Sequence, residues 1–396
     1  MAAPGHQRSL VATCSRGLEE GLAGELAGLG YPDATPGRGM VSWLGDDRAV
    51  VRSNLWLRSA ARVLVSLTEG AAGGRAELYE LASAVAWEEL IAPGQTVVVD
   101  VAGKGSGFAS GAFAALTVKD ALVDRIRARR GERPDVDRRQ ADVRVHLHLG
   151  GEHAAIALDS TGEPLAHRGY RPRGGPAPLS ETLAAGMLMI AGYDGSRPLL
   201  DPMCGTGTIA IEAALLATRT APGLQRRFAC ERWSFVPAHL LRDERAAARE
   251  LRQPAPQPVV ASDHDRRAVA ATRHNAAAAA VAEAVRVERR DLSELVPPGP
   301  GSMVVTNPPY GVRLGDVVAL RGLYRSIGDA LKTRAAGCTA WLLVGDRELA
   351  GEVGLRPQRR VVLFNGPIEC RLLRFDLYAG RKEEESAAGS PGQAPL

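Results

Sequence analysis

The stretch PLLDPMCGTGT, residues 198–208, decides how the C-terminal half of the chain is read. Two leucines lead into Asp201, then Gly205 and Gly207 punctuate a short turn before the apolar run IAIEAALLA begins at Ile209. A buried strand ending in an acid, a glycine turn and a helix form the arrangement in which open α/β sheets bind ligands at strand C-termini. The spacing is DxxxGxG, neither the GxGxxG of dinucleotide sites nor the GxxxxGK[ST] of nucleoside triphosphate sites. A plain strand-to-helix turn is the structural alternative.

Downstream the same alternation repeats. PVVASD from Pro258 predicts a second strand, followed by an alanine-rich helix over residues 266–284. VRVERRD from Val285 predicts a third strand, and SMVVTNPPYG from Ser302 a fourth. Asp263 ends the second strand, where a carboxylate can accept the hydroxyls of a ribose, while Asp265 reads as the cap of the next helix. Asp291 ends the third strand, within reach of an adenine amino group. Three strand-end acids in order outline an adenosine-containing ligand, against the alternative that all three are helix caps. A helix over residues 319–334, the strand TAWLLVGD and a hairpin VVLFNGPIECRLLRFDLY complete a parallel α/β sheet.

The fourth strand runs into Asn307, Pro308, Pro309 and Tyr310. An exocyclic amine on a base or amide is a poor nucleophile because its lone pair is delocalised. Two acceptors, the Asn307 side-chain oxygen and the Pro308 carbonyl, can bind its two hydrogens and direct the lone pair at an electrophile. The prolines stiffen that backbone before substrate arrives. Tyr310 offers a flat surface for stacking a planar substrate, worth about 1 to 3 kcal/mol per base. The plain alternative is a strand that merely ends at Pro-Pro. Cys204 sits inside the glycine turn as a packing residue, and no cysteine follows the fourth strand in a Pro-Cys setting, so methylation at a ring carbon is disfavoured.

Upstream, LVAT from Leu10 and LEEGLAGELAGLG from Leu18 predict a strand and an amphipathic helix, and residues 39–67 two more strands with a helix between them. A second α+β segment follows: ELYELASAVAWEEL, the β-branched TVVVDV, a helix ending in RIRARRG, then DVRVHLHL and AAIALDSTG. The linker HRGYRPRGGPAPL from His167 is dense in Pro, Gly and Arg and marks a boundary. His146 and His148 share a strand face and read as ordinary surface or core histidines. The tail over residues 381–396 is polar and expected to be disordered.

At 396 residues, with 45% hydrophobic and 24% charged residues, the chain has the composition of several globular units and is too long for one small binding module. A net charge of +4 permits a nucleic-acid partner without requiring one. Between Arg125 and Arg139 seven arginines face three acids, which fits either a solvated helix end or phosphate contact. Five scattered cysteines without a CxxC pair argue for a reduced cytoplasmic setting and no metal. No apolar run has the length of a membrane helix.

With DPMCGTGT and TNPPYG in place, the C-terminal half resembles class I S-adenosylmethionine-dependent methyltransferases that modify amino groups. The blocks VATCSRGLEEGLAGELAGLG, NLWLRSAARVLVSL, VKDALVDRIRARRGERPDVD, LDSTGEPLAHRGYR, APLSETLAAGML and FNGPIECRLLRF extend the likeness to THUMP-containing RNA guanine-N2 methyltransferases, bacterial large-subunit ribosomal RNA enzymes in particular, over residues 8–380. The resemblance implies a ferredoxin-like segment (1–68), a THUMP RNA-binding domain (69–162), a linker (163–177) and a Rossmann-like methyltransferase domain (178–380). It implies S-adenosylmethionine as cofactor, held by Thr182, Asp201, Cys204, Gly205, Thr206, Gly207, Asp263, Asp291, Leu292 and Asn307, with Asn307, Pro308 and Tyr310 at the target guanine. It makes Arg125, Arg129, Arg130, Arg133, Arg168, Arg171 and Arg173 candidates for RNA phosphates.

Ribosomal RNA is then the expected substrate and transfer RNA the alternative. A protein glutamine methyltransferase and a non-catalytic ribosome-assembly factor are the rivals from other classes. Some relatives carry a second methyltransferase domain for another guanine; this sequence contains none, so dual activity is not expected. The segment APGLQRRFACERWSF, within the 62 positions separating Asp201 from Asp263, is expected to shape the substrate pocket.

Overall fold

The computed structural model describes residues 7–172, 179–310 and 314–378. It comprises two sheets. The first has eight strands: β1 (Arg8–Cys14), β2 (Thr35–Gly37), β3 (Met40–Gly45), β4 (Ala60–Ala71), β5 (Thr96–Gly105), β6 (Asp135–Val136), β7 (Val143–Gly151) and β8 (His153–Asp159). Their order is β2-β3-β1-β4-β8-β7-β5-β6. Helices α1 (Glu19–Gly28), α2 (Asp47–Trp56), α3 (Arg75–Ser83), α4 (Trp87–Leu90) and α5 (Gly111–Arg130) accompany it.

The two N-terminal α+β segments share this one sheet. Strand β4 pairs with β1 through Ala60–Val65 and with β8 through Leu64–Ala71, and so runs across the boundary expected at residue 68. The pairing with β8 shifts register between Ser66 and Thr68 without ending the strand, and Val63 and Val65 enter a core shared with Leu10, Trp43, Leu78, Leu122 and Ile156.

The second sheet contains β9 (Leu199–Asp201), β10 (Val259–Asp263), β11 (Val285–Arg289), β12 (Met303–Thr306), β13 (Thr339–Val344), β14 (Arg359–Asn365) and β15 (Ile368–Asp376), ordered β11-β10-β9-β12-β13-β15-β14. The first five are parallel, and β15 pairs antiparallel with both β13 and β14. Strands β9, β10, β12 and β13, buried on both faces, are nearly continuous apolar runs. Leu199, Val305 and Trp341 meet α6 (Glu181–Ile190) and α7 (Thr208–Ala217), while Leu200, Val304 and Leu342 meet the opposite core. Helices α8 (Ala238–Glu250), α9 (Arg266–Ala278), α10 (Leu314–Arg334) and α11 (Arg347–Glu352) complete the layers. Strand order reverses at β9, so the crevice where such folds bind ligands opens beside Asp201.

The segment inserted between β9 and β10 does not line that crevice. Phe228, Cys230, Trp233, Val236 and Leu241 join the core of the first sheet, and Cys230 and Ala229 donate backbone hydrogen bonds to Ser160 and Thr161. On α8, Glu244 is buried and accepts from Arg48 at 2.8 Å and Arg52 at 3.0 Å. The insertion clasps the second sheet onto the first, which corrects the expectation that it shapes a substrate pocket. Its apolar residues needed a partner, and the uncovered flank of the first sheet supplies one.

Candidate active site

The turn after β9 is bonded to its neighbours along its whole length. Cys204 N–H donates to the Ser262 carbonyl at 3.0 Å and Gly205 N–H to Asp263 Oδ2 at 3.0 Å. From α9, Thr272 Oγ1 donates to the Gly205 carbonyl at 2.9 Å and Asn275 Nδ2 to the Thr206 carbonyl at 2.9 Å. Gly205 and Gly207 both take left-handed backbone conformations, at φ +53° and +85°. A Cβ at Gly207 would lie 2.6 Å from Thr272 Cγ2, whereas one at Gly205 would meet no atom within 4 Å. Gly207 therefore packs the turn on α9, and Gly205 leaves open space above it.

Asp201 is 1% exposed, and its Oδ1 accepts from Thr306 Oγ1 at 2.9 Å and from Met203 N–H at 3.4 Å. Burial raises its pKa to about 7, with the charge of Asp263 adding to the rise. Asp263 also accepts from Asp265 N–H at 2.9 Å, and Asp265 caps α9 as expected, accepting from Arg267 N–H at 2.8 Å. Asp291 is exposed and its Oδ1 accepts from Ser293 N–H and Oγ, which lowers its pKa. Leu292 beside it is half-buried against the β12–β13 core. Cys204 is buried with its sulfur 3.5 Å from Thr272 Oγ1, and burial raises its thiol pKa, the state of a packing residue. Thr182 is buried in the first turn of α6, 3.4 Å from the capping Ser180 hydroxyl.

Beyond Thr306 the chain leaves β12 at Asn307. The Asn307 Oδ1 atom is buried and has no hydrogen-bond partner among the described residues. An orphaned buried acceptor costs about 1 to 3 kcal/mol, and this one, at the C-terminal end of a strand beside the crevice, is free to accept from a ligand. Pro308 is buried, and Tyr310 is half-buried with its hydroxyl accepting from Asn365 Nδ2 at 2.7 Å. Sequence reasoning missed Thr306, Thr272, Asn275 and Asn365. A threonine inside a strand and an asparagine before a hairpin glycine carry no signal beyond local propensity.

Most of the candidate phosphate-binding arginines serve the fold instead. Arg125 holds Glu88 at 2.9 Å and the Ser83 carbonyl at 2.7 Å, and lowers the Glu88 pKa to about 2. Arg130 donates to the carbonyls of Ile91 and Glu88, so both side chains fasten α5 to α4. Arg168 is 3% exposed, lies 3.4 Å from Glu212 and donates to the carbonyls of Leu165 and Arg58. Arg171 pairs with Glu181 at 2.7 Å and reaches Thr208 at 3.1 Å. Arg129 is largely exposed, 3.7 Å from Glu88, and Arg133 is exposed, so these two remain open to solvent. Arg173 and residues 381–396 lie outside the described residues. Among the described residues no helix is long and apolar enough to cross a membrane, and no group of three His, Cys, Asp or Glu is placed to hold a metal ion.

A sheet with this strand order, an acid and glycine turn after its first strand and an Asn-Pro-Pro-Tyr turn after its fourth define a class I methyltransferase domain. Residues 168–374 match the RMKL-like methyltransferase domain, residues 9–64 the RlmL ferredoxin-like domain and residues 76–159 the THUMP domain. The chain belongs to the RMKL-like methyltransferase family. It is 40% identical to "Ribosomal RNA large subunit methyltransferase K/L" of Syntrophotalea carbinolica over 97% of this chain and 55% of the relative. It is 36% identical to "Putative RNA methyltransferase slr0064" of Synechocystis sp. over 94% of this chain and 97% of the relative. The chain thus spans about half the length of the K/L relatives it matches. The crystal structure of SMU.472 complexed with SAH superposes with a TM-score of 0.86 at 27% identity, covering 95% of this chain and 99% of that one.

Proposed function

We propose that the chain transfers a methyl group from S-adenosylmethionine to the exocyclic N2 amine of a guanosine in structured RNA, with large-subunit ribosomal RNA as the first candidate and transfer RNA the alternative. The observation that carries this reading is the orphaned, buried Asn307 Oδ1, one residue from the Thr306 that holds Asp201. The open space above Gly205 and the bonded strand-end acids fit the cofactor, and SMU.472 supports this by binding SAH with a related sequence. Asp201 and the Gly205–Gly207 turn would hold its methionine end, Asp263 its ribose, and Asp291 with Leu292 its adenine.

When bound, S-adenosylmethionine supplies an electrophilic methyl group on a sulfonium. Asn307 Oδ1 and the Pro308 carbonyl accept the two amine hydrogens, which localises the nitrogen lone pair and aims it. Tyr310 stacks on the base once it is turned out of the RNA, offsetting a flipping cost of a few kcal/mol. The extra proton on the methylated nitrogen is acidic enough to pass to water, so no strong base is needed.

The acceptor pair alone suits any planar amine. The THUMP unit and the K/L relatives direct it to RNA, and the resemblance to guanine-N2 enzymes selects the base. Incubation with labelled S-adenosylmethionine and separated ribosomal RNA, transfer RNA and protein, followed by nucleoside mass spectrometry, tests each part. N2-methylguanosine in ribosomal RNA is the expected product. N6-methyladenosine, or label in protein only, overturns the assignment of the base or of the substrate class.

A further inference from the structure

Tyr310 is held from three directions. Its ring lies on the backbone of Gly345, just past β13, where a Cβ would come within 2.6 Å of the ring carbon Cδ2. Its hydroxyl accepts the 2.7 Å hydrogen bond from Asn365, and the Cys370 thiol lies against the same hydroxyl. Asn365 and Cys370 belong to the β14–β15 hairpin, which pairs Asn365 with Ile368 and Leu363 with Cys370. Only Gly366 and Pro367 form the turn, with Gly366 at φ +61°. Glycine at the first central position suits a tight two-residue hairpin, and proline at the second stiffens it. The register therefore puts Asn365 in one place relative to the sheet.

We infer that Asn365 is a positioning residue for Tyr310: the hairpin turn fixes where the ring lies on which the target base stacks. This rests on the methyl-transfer reading above. A tyrosine ring on an irregular segment after a strand end is free to turn about two side-chain torsions, and each alternative rotamer removes the stacking surface. The hydroxyl oxygen lies on the axis of the second torsion, so the hydrogen bond from Asn365 restrains the first, which swings the whole ring, while packing of the ring face on Gly345 restrains the second. Burial raises the hydroxyl pKa to about 12, so the group stays protonated and serves as an anchor. The same strand also meets the N-terminal sheet: Arg16 lies over the Phe364 ring at 4.7 Å and Gly17 packs on the Val362 carbonyl.

The test is a double-mutant cycle on the full chain, with ribosomal RNA lacking the modification and labelled S-adenosylmethionine. Asn365→Ala and Tyr310→Phe each break the same hydrogen bond and should each lower kcat/KM for RNA about tenfold. The double variant should be no worse than the single ones within about twofold. Affinity for S-adenosylhomocysteine, measured by calorimetry, should stay within about twofold, and Asn365→Asp should recover much of the rate because the tyrosine hydroxyl can donate to a carboxylate. Additive losses, or weakened S-adenosylhomocysteine binding in Asn365→Ala, overturn the proposal. If the unaltered chain labels no RNA, the functional reading fails, and fluorine NMR of fluorotyrosine-labelled protein still decides the positioning. The Tyr310 resonance, identified by its loss in Tyr310→Phe, should shift and broaden in Asn365→Ala. An unchanged resonance refutes the restraint.

Discussion

Thr306 donates its hydroxyl hydrogen bond to Asp201 across adjacent strands, 2.9 Å from oxygen to oxygen, and joins the acid of the glycine turn to the strand that leads into Asn307. The pair lies at the switch point of the sheet, with Asp201 buried and its pKa raised to about 7. Below the ordinary aspartate range both folded and unfolded chains are protonated at this group. Between about pH 4 and 7 the folded chain keeps a proton that the unfolded chain has lost. Stability through Asp201 therefore falls as pH rises across that window. Asp201→Asn retains an acceptor for Thr306 without the charge. It should raise the melting temperature by a few degrees at pH 8 and by nothing at pH 4, while weakening S-adenosylmethionine binding. Thermal melts at the two pH values check the sign, and a stabilisation equal at both would refute the assignment.

Asn307→Ala removes an acceptor that makes no hydrogen bond within the described fold. Stability should therefore hold or improve, since an orphaned buried group disappears. Turnover on RNA should fall about a hundredfold, the scale of losing one preorganised polar contact to the reacting group. Cofactor affinity should change by less than about threefold. Equal losses in turnover and in cofactor affinity would place Asn307 at the cofactor and not at the amine.

The two turn glycines separate folding from binding. A Cβ at Gly207 meets Thr272 at 2.6 Å, so Gly207→Ala should lower the melting temperature and impair cofactor binding together. At Gly205 the same methyl enters open space, with only the strain of a left-handed alanine, about 1 kcal/mol. Gly205→Ala should thus melt nearly as the unaltered chain does and yet fail to bind S-adenosylmethionine in calorimetry. Full binding by Gly205→Ala would mean that the space above it is not the cofactor cradle.

The parallel sheet and its turns were legible because strands buried on both faces leave apolar runs, and because an acid with glycines or an Asn-Pro-Pro-Tyr turn is visible one residue at a time. The union of the two N-terminal segments was not, since the β4–β8 pairing joins residues far apart in sequence and alternation does not name a partner strand. The insertion was misread for the same reason: Trp233 and Leu241 announce burial but not the sheet they bury against. Arginines are ambiguous in kind. A guanidinium that donates to backbone carbonyls, as Arg168 and Arg130 do, has the same sequence signature as one that meets phosphate.

That ambiguity yields a direct test of where RNA contacts the chain. Arg129 and Arg133 are exposed, and each phosphate they neutralise should add about 0.7 to the slope of log affinity against log salt. Arg129→Ala and Arg133→Ala should each flatten that slope by about this amount with the melting temperature unchanged. Arg168→Met should behave in the opposite way, because it removes the guanidinium 3.4 Å from the buried Glu212 carboxylate and leaves that charge the Tyr170 hydroxyl at 3.2 Å. Removing one partner of a buried pair costs about 3 to 5 kcal/mol. The salt slope of the surviving folded fraction should be unaltered. A flattened slope in Arg168→Met with normal stability would return that residue to the RNA surface, whereas unaltered slopes in Arg129→Ala and Arg133→Ala would move RNA contact away from the end of α5.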